Sequence, residues 1–344
     1  MLIVEIIDEY LYSVKASRPW LHWYDPCWSE RAKKNMTRPT TTHSFTYYLT
    51  LAAKGFCMGA SDVVPGVSGG TMALILGIYE DLIDAIRSFD FSSLRLLFKF
   101  RIKAFLNRVS YQFLAAVGAG ILIAVFSLAK ILSWLLDNKP VLLWSFFFGL
   151  IVASILIVGR RVEDWIASRW VSFFAGTLGA FFLVGLVPVS TPEAGWFLFL
   201  SGAIAICAMI LPGISGSFIL VLLGKYAFVL EAVNDRDLLS LGILAAGACT
   251  GIILFSRLLG WLLSRYHDVT VSLLAGLMLG SLRKIWPWKE TITTVTDAHG
   301  EILPLLQRNT LPENWGPEVI LALSLMVTGF LVVSLIHQMG GQHH

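Results

Sequence analysis

Charge is what this 344-residue chain has least of. Only 14% of its residues are Asp, Glu, Lys or Arg, against roughly a quarter in an ordinary soluble domain. Apolar residues make up 56%, and mean hydropathy is +0.72. A soluble fold of this length cannot hide that much apolar surface, which argues against soluble-enzyme, nucleic-acid-binding and disordered classes. Cysteine is sparse too. Cys27, Cys57, Cys207 and Cys249 show no metal-ligand spacing, and in apolar segments the thiol acts as a small hydrophobe. No Walker sequence, HExxH, CxxC pair or nucleophile elbow occurs, so ATP-driven pumping and hydrolysis both lack residues to carry them. A clean signal peptide is missing as well, because Glu5, Asp8 and Glu9 interrupt the opening stretch. Leu2, Ile3, Ile6, Ile7, Tyr10, Leu11 and Val14 instead recur at helical spacing. That pattern predicts a surface-lying amphipathic helix, or else a loose tail, within a cytoplasmic extension of residues 1–44.

What is present is a series of uncharged runs of 17 to 31 residues: 113–129, 141–159, 170–192, 194–224, 238–256 and 319–336. A bilayer core asks for about 20 apolar residues per helix. The expected class is therefore an all-α, polytopic membrane protein, with spans near 112–136, 140–159, 170–188 and 318–338.

The chain also repeats itself. VVPGVSGGTMALILGIYEDLIDAI at Val63 to Ile86 returns as ILPGISGSFILVLLGKYAFVLEAV at Ile210 to Val233. At an offset of 147, Pro65, Gly66, Ser68, Gly69, Leu76, Gly77 and Tyr79 match Pro212, Gly213, Ser215, Gly216, Leu223, Gly224 and Tyr226. Further matches at an offset of 127 align KILSWLL at Lys130 with RLLGWLL at Arg257. Two halves result, 45–190 and 191–344, the second with an outer-face loop at 283–317. Each is expected to hold a broken or re-entrant helix pair followed by three transmembrane helices. Three crossings between the motifs reverse their orientation, so the halves are predicted to be inverted repeats, as in many secondary transporters. With the amino terminus inside, cytoplasmic segments carry 16 Lys or Arg and the opposite face six. By the positive-inside rule both termini are then cytoplasmic.

Pro65-Gly66 and Pro212-Gly213 fall inside apolar runs, where proline removes a backbone donor and glycine weakens the helix. Lipid cannot satisfy the freed amides, so such breaks belong inside protein or beside a watery cavity. After each break come small polar residues: Ser68, Gly69, Gly70 and Thr71 in one half, Ser215, Gly216 and Ser217 in the other. Serine is a good N-cap, and helix N-termini attract anions. Two such ends converging on one anion make these residues, with the two Pro-Gly pairs, the candidate substrate site.

Lys130 and Arg257 share a repeat position, each costing ~2.5 to 3.5 kcal/mol at the bilayer centre on insertion scales. Lys130 reads equally as an anion ligand or a snorkelling side chain, while Arg257 suits bidentate phosphate binding better. Lys54 is a further candidate, and Lys225 reads as interfacial. Asp62, matched by Met209, reads as a proton or sodium coupling group or as a partner of Lys54. Glu80 belongs to a solvated face, or else helps relay a proton. No cofactor is expected; a proton or sodium gradient is the expected drive.

Gly59 to Ile86, GASDVVPGVSGGTMALILGIYEDLIDAI, with its echo at Leu211 to Tyr226, resembles the PopT family of polyprenyl-phosphate transporters over roughly residues 45–336. The resemblance implies a non-enzymatic protein of the bacterial cytoplasmic membrane that returns undecaprenyl phosphate from the outer to the inner leaflet for reuse in envelope synthesis. A small-anion carrier and a membrane enzyme acting on the lipid phosphate are the alternatives.

Overall fold

The computed structural model describes residues 44–63, 68–89, 96, 101–189, 191–192, 194–296, 302–312 and 314–340. The predicted amphipathic helix and the Pro65-Gly66 pair lie outside them. The chain divides into two units, Met1–Tyr47 and Tyr48–His344; apart from the first three residues of the first helix, everything that follows belongs to the second.

Burying an apolar run in lipid requires its backbone groups to bond within the segment, and helices do that. The first half contains α1 (Phe45–Asp62), α2 (Gly69–Ile75), α3 (Tyr79–Arg87), α4 (Ile102–Arg108), α5 (Tyr111–Asn138), α6 (Pro140–Gly159) and α7 (Ala167–Leu183). The second contains α8 (Gly195–Ile210), α9 (Gly216–Leu222), α10 (Tyr226–Asn234), α11 (Leu238–Arg265), α12 (His267–Ser281) and α13 (Pro317–Gly340). The repeat is legible in lengths alone: α2 and α9 have 7 residues, α3 and α10 have 9, and α5 and α11 have 28. Twenty-eight residues span roughly 42 Å at 1.5 Å each, enough to cross a hydrocarbon core of about 30 Å with a tilt.

Among the described residues, α5, α6, α11 and α13 are long and apolar enough to cross a membrane. The fold class is therefore the one the sequence predicts, a mostly helical, multi-pass membrane protein. The helix expected at 170–188 runs instead over Ala167–Leu183, since Gly185 and Pro188 stop it early. The loop at 283–317, unassigned from sequence, contains a hairpin of β1 (Lys289–Thr296) and β2 (Ile302–Asn309), paired antiparallel. Its first strand is rich in β-branched Thr, Ile and Val, which suit a pleated surface.

Packing follows small residues. Gly276 of α12 seats on Phe173 of α7, and Gly149 of α6 on Met326 of α13, so closely that a Cβ would collide with backbone. Such approaches replace the hydrophobic drive that lipid does not supply between helices. One end of the bundle is ionic: Arg169 of α7 pairs with Asp268 at 2.8 Å, and His267 faces Glu80 of α3 at 3.4 Å. The other end carries the hairpin. Val189 N–H donates to Leu222 O, and the Thr191 hydroxyl to Leu223 O. These bonds hold the end of α9 beside the chain that leads into α8, so α8 and α9 return to the end from which they start.

Candidate functional site

The break after α8 leaves helix-terminal carbonyls without partners along their own chain, as every helix end does. Here the other half supplies them. The Ser68 hydroxyl donates to Met209 O at 2.9 Å, and the buried Tyr79 hydroxyl to Ile210 O at 3.2 Å. In return, Gly213 N–H donates to Thr71 Oγ1 at 2.9 Å. Gly213 has φ +89, a left-handed conformation that glycine adopts without cost. A Cβ on Gly70 would lie 2.5 Å from Ile210 O. The two motifs therefore interlock through hydrogen bonds between side chains of one half and the backbone of the other, an arrangement in which Ser68, Gly70 and Thr71 hold the halves together. Tyr79, singled out in sequence only as a repeat identity, is part of this lock.

The two helix starts differ in what they hold. At α2, Gly69 N–H donates to Asp62 Oδ1 at 2.6 Å, and Gly70 N–H to Ser68 Oγ at 3.1 Å. Asp62 thus places its own carboxylate where the sequence suggested a bound anion. Its partner is this backbone amide; Lys54 is half-buried on α1, with no bond to Asp62. At α9, Met209 stands where Asp62 would be. Ser215 Oγ lies 2.7 Å from Ser217 Oγ and accepts a long bond of 3.4 Å from Phe218 N–H. The N–H groups of Gly216 and Ser217 have no acceptor among the described residues. Ser217 is exposed, Ser215 and Gly216 are half-buried, and Pro212 is buried. One helix start is filled from within, and the other presents two amides and two hydroxyls.

The predicted cations are not gathered there. Arg257 lies on the exposed arc of α11 with Leu254, Leu258 and Trp261, and Lys130 on that of α5 with Ile123, Phe126 and Trp134. Neither has a hydrogen bond or ion pair among the described residues. Lys225 departs most from its interfacial reading: it is 3% exposed, donates to Thr191 O at 3.2 Å, and lies 5.8 and 5.9 Å from the ring centres of Phe197 and Phe228. Glu80 sits at the ionic end. There its hydrogen bond, with help from Asp268, raises His267 to about 9.

Cations that sequence reasoning passed over lie beside α9. The Lys284 ammonium is 4.9 Å from the centre of the Phe218 ring in the first turn of α9. Ser281 Oγ touches the space a Cβ on Gly213 would fill. Burial lowers Lys284 and pushes Lys289 down to about 8, with the Lys284 charge adding to the second shift. Lys289 lies 4.8 Å from the Trp144 ring centre. The only sequence signal for these residues was their place on the same predicted face.

An interlocked pair of broken helices, with one helix start free and cations at its rim, defines a multi-pass membrane protein whose helix breaks meet inside the fold, an arrangement that secondary transporters also use. Residues 58–303 match the family model described as undecaprenyl phosphate translocase-like, and the chain belongs to that family. It is 47% identical over 265 residues to a polyprenyl-phosphate transporter of Vibrio cholerae serotype O1, covering 77% of this chain and 86% of that one. It is 32% identical over 253 residues to a polyprenyl-phosphate transporter of Staphylococcus aureus, covering 68% and 84%. No solved structure matches.

Proposed function

We propose that this protein carries undecaprenyl phosphate across the bacterial cytoplasmic membrane, from the outer leaflet to the inner, for reuse in envelope synthesis. The observation that carries the reading is the free start of α9: two amides and the Ser215 and Ser217 hydroxyls, without a carboxylate, in a fold whose relatives are named polyprenyl-phosphate transporters. A phosphate monoester has between one and two negative charges near neutral pH, and backbone N–H groups at a helix start suit it. Only the head crosses; the isoprenoid tail stays in lipid, and no bond of the substrate is made or broken.

In this reading the halves are inverted repeats and rock about the interlocked breaks in alternating access. Supporting it, α1 starts from the ionic end, where Tyr48 meets Gln112 near the start of α5, and α8 from the hairpin end. Both termini and the ionic end face the cytoplasm, as the lysine and arginine bias favours. Asp62 is the carboxylate through which a proton or sodium gradient drives the cycle.

The test is the sidedness of undecaprenyl phosphate in vesicles containing the purified protein, read with a probe for head groups in one leaflet. Wild type should move the lipid, and a Ser215→Ala/Ser217→Ala variant should not. Inhibition by free phosphate would favour a small-anion carrier, and release of inorganic phosphate would reveal an enzyme. No movement with or without an ion gradient refutes the reading.

A further inference from the structure

Beside the hairpin end lies a groove of about 350 Å³, within the roughly 300 to 1,000 Å³ of small-molecule sites. Phe148 of α6, Thr177 and Phe181 of α7 and Leu279 of α12 line it, with Arg283 and Trp286 where the chain leaves α12. Its walls are almost wholly apolar, and α7 also exposes the large apolar residues Leu178 and Phe182. On α6, Phe148 also borders a second apolar hollow, of about 230 Å³, against Met326 and Phe330 of α13.

The charge at this groove is cationic. The exposed Arg283 guanidinium stacks 4.4 Å from the centre of the Phe181 ring and donates to Phe181 O at 3.1 Å. A carbonyl and a ring face leave most of its five N–H donors unused. Lys284 follows it over Phe218, and the Lys289 ammonium donates to Lys284 O. None of the three has a carboxylate partner among the described residues. Glu290 stands across the hairpin from Arg308. Burying Lys284 and Lys289 without such a partner costs free energy that an anionic ligand offsets, and their lowered proton affinity agrees. The hairpin neck is fixed in place: Asn309 donates to Arg283 O at 2.8 Å and Trp286 to Thr310 O at 2.8 Å.

An apolar trough with Arg283 on its wall and Lys284 next along the chain, neither with a carboxylate partner among the described residues, complements an amphiphile with a phosphate head. We propose that this groove is the lateral loading site, where the first isoprenoid units of the lipid carrier lie between α6, α7 and α12 while Arg283 and Lys284 take its phosphate. The inference rests on the polyprenyl-phosphate reading and goes beyond it by naming where the carrier enters. Lys284 then hands the head to the start of α9, whose first turn it overlies. Arg283 acts first because it is the most exposed of the three.

The test is photo-cross-linking in vesicles that also report lipid movement. p-Benzoylphenylalanine replaces Phe181 or Phe148 and, as a control, Phe126, an exposed residue of α5. With radiolabelled undecaprenyl phosphate, label should concentrate several-fold at 181 and 148 over 126. Unlabelled undecaprenyl phosphate should remove it, and neither undecaprenol nor millimolar inorganic phosphate should. An Arg283→Gln/Lys284→Gln variant should lose both label and most transport while its Phe126 control stays unchanged. Equal labelling at 126, competition by undecaprenol or by inorganic phosphate, or wild-type transport by the double variant each overturns the proposal. If wild type moves the lipid and the groove stays unlabelled, the loading site alone falls. If wild type moves no lipid, the functional reading falls and takes the loading site with it.

Discussion

Ser68 and Ser215 occupy the same position of the repeat, yet the structure assigns them opposite sensitivities. Ser68 is 1% exposed and serves twice: it caps Gly70 N–H and donates to Met209 O in the other half. Ser68→Ala removes a cap worth about 1 kcal/mol and deprives a helix-terminal carbonyl of its partner, for about 1 to 3 kcal/mol more. The expected loss is about 2 to 4 kcal/mol, much of it in the attachment between the halves. Ser215 accepts only a long 3.4 Å cap bond from within its helix and shares a 2.7 Å bond with the exposed Ser217 hydroxyl, so Ser215→Ala costs roughly 0.5 kcal/mol of stability. In the proposed function its hydroxyl instead contacts substrate. A hydrogen bond to a charged group is worth about 1.5 to 3 kcal/mol, and 1.4 kcal/mol is about tenfold in affinity, so the concentration for half-maximal transport should rise roughly tenfold or more. Thermal unfolding in lipid nanodiscs and vesicle transport normalised to folded protein separate the two effects. Wild-type unfolding temperature in Ser68→Ala, together with normal transport by Ser215→Ala, would refute the assignment.

Tyr79→Phe removes the hydroxyl from Ile210 O inside the same lock and should cost about 1 to 2 kcal/mol, seen as a lower unfolding temperature; an unchanged temperature would show that this bond contributes nothing. At the ionic end, His267 is raised to about 9, first by its bond to Glu80 and then by Asp268. A raised value means that the protonated ring is favoured in the folded state, so its stabilisation is complete below about 6.5, the ordinary histidine value, and is lost as pH rises through about 9. Unfolding temperature should therefore fall between these limits, and His267→Gln should flatten that fall; a parallel decline in the variant would place the titrating group elsewhere.

How much of this was legible beforehand depends on what each residue's signal consists of. Runs such as 141–159 and 319–336 fix helices because lipid leaves the backbone no other choice, and α6 and α13 sit where those runs predict. The hairpin at 289–309 was not legible from hydropathy, since strands of 8 residues are far shorter than the uncharged runs that mark a span and short apolar runs do not by themselves separate strand from helix. Lys225 was misread for a related reason. A lysine beside a helix end looks interfacial in one dimension, whereas the fold returns α9 to the loop carrying Thr191 and closes Phe197 and Phe228 around the ammonium. Arg283, Lys284 and Lys289 looked like ordinary loop charges until the chain after α12 was seen to fold back over Phe181, Phe218 and Trp144.

The repeat itself was legible, and it misled in an instructive way. Seven identities suggested two equal helix starts sharing one anion, but identical residues in a duplicated motif preserve its backbone: the break, the serine cap and the glycines that let chains approach. Chemistry is assigned by the positions that differ. Asp62 against Met209 decides which helix start carries an internal carboxylate. Thr71 against Phe218 decides which one accepts Gly213 N–H from the opposite half and which lies under Lys284. Gly70 against Ser217 decides which admits a backbone carbonyl and which presents a hydroxyl. A fold with both starts filled has no place for an anion, and one with both free leaves the carbonyls at the end of α8 without partners. In the proposed function the divergence of the halves meets both demands at once: one motif is spent on holding the protein together, and the other stays free to bind.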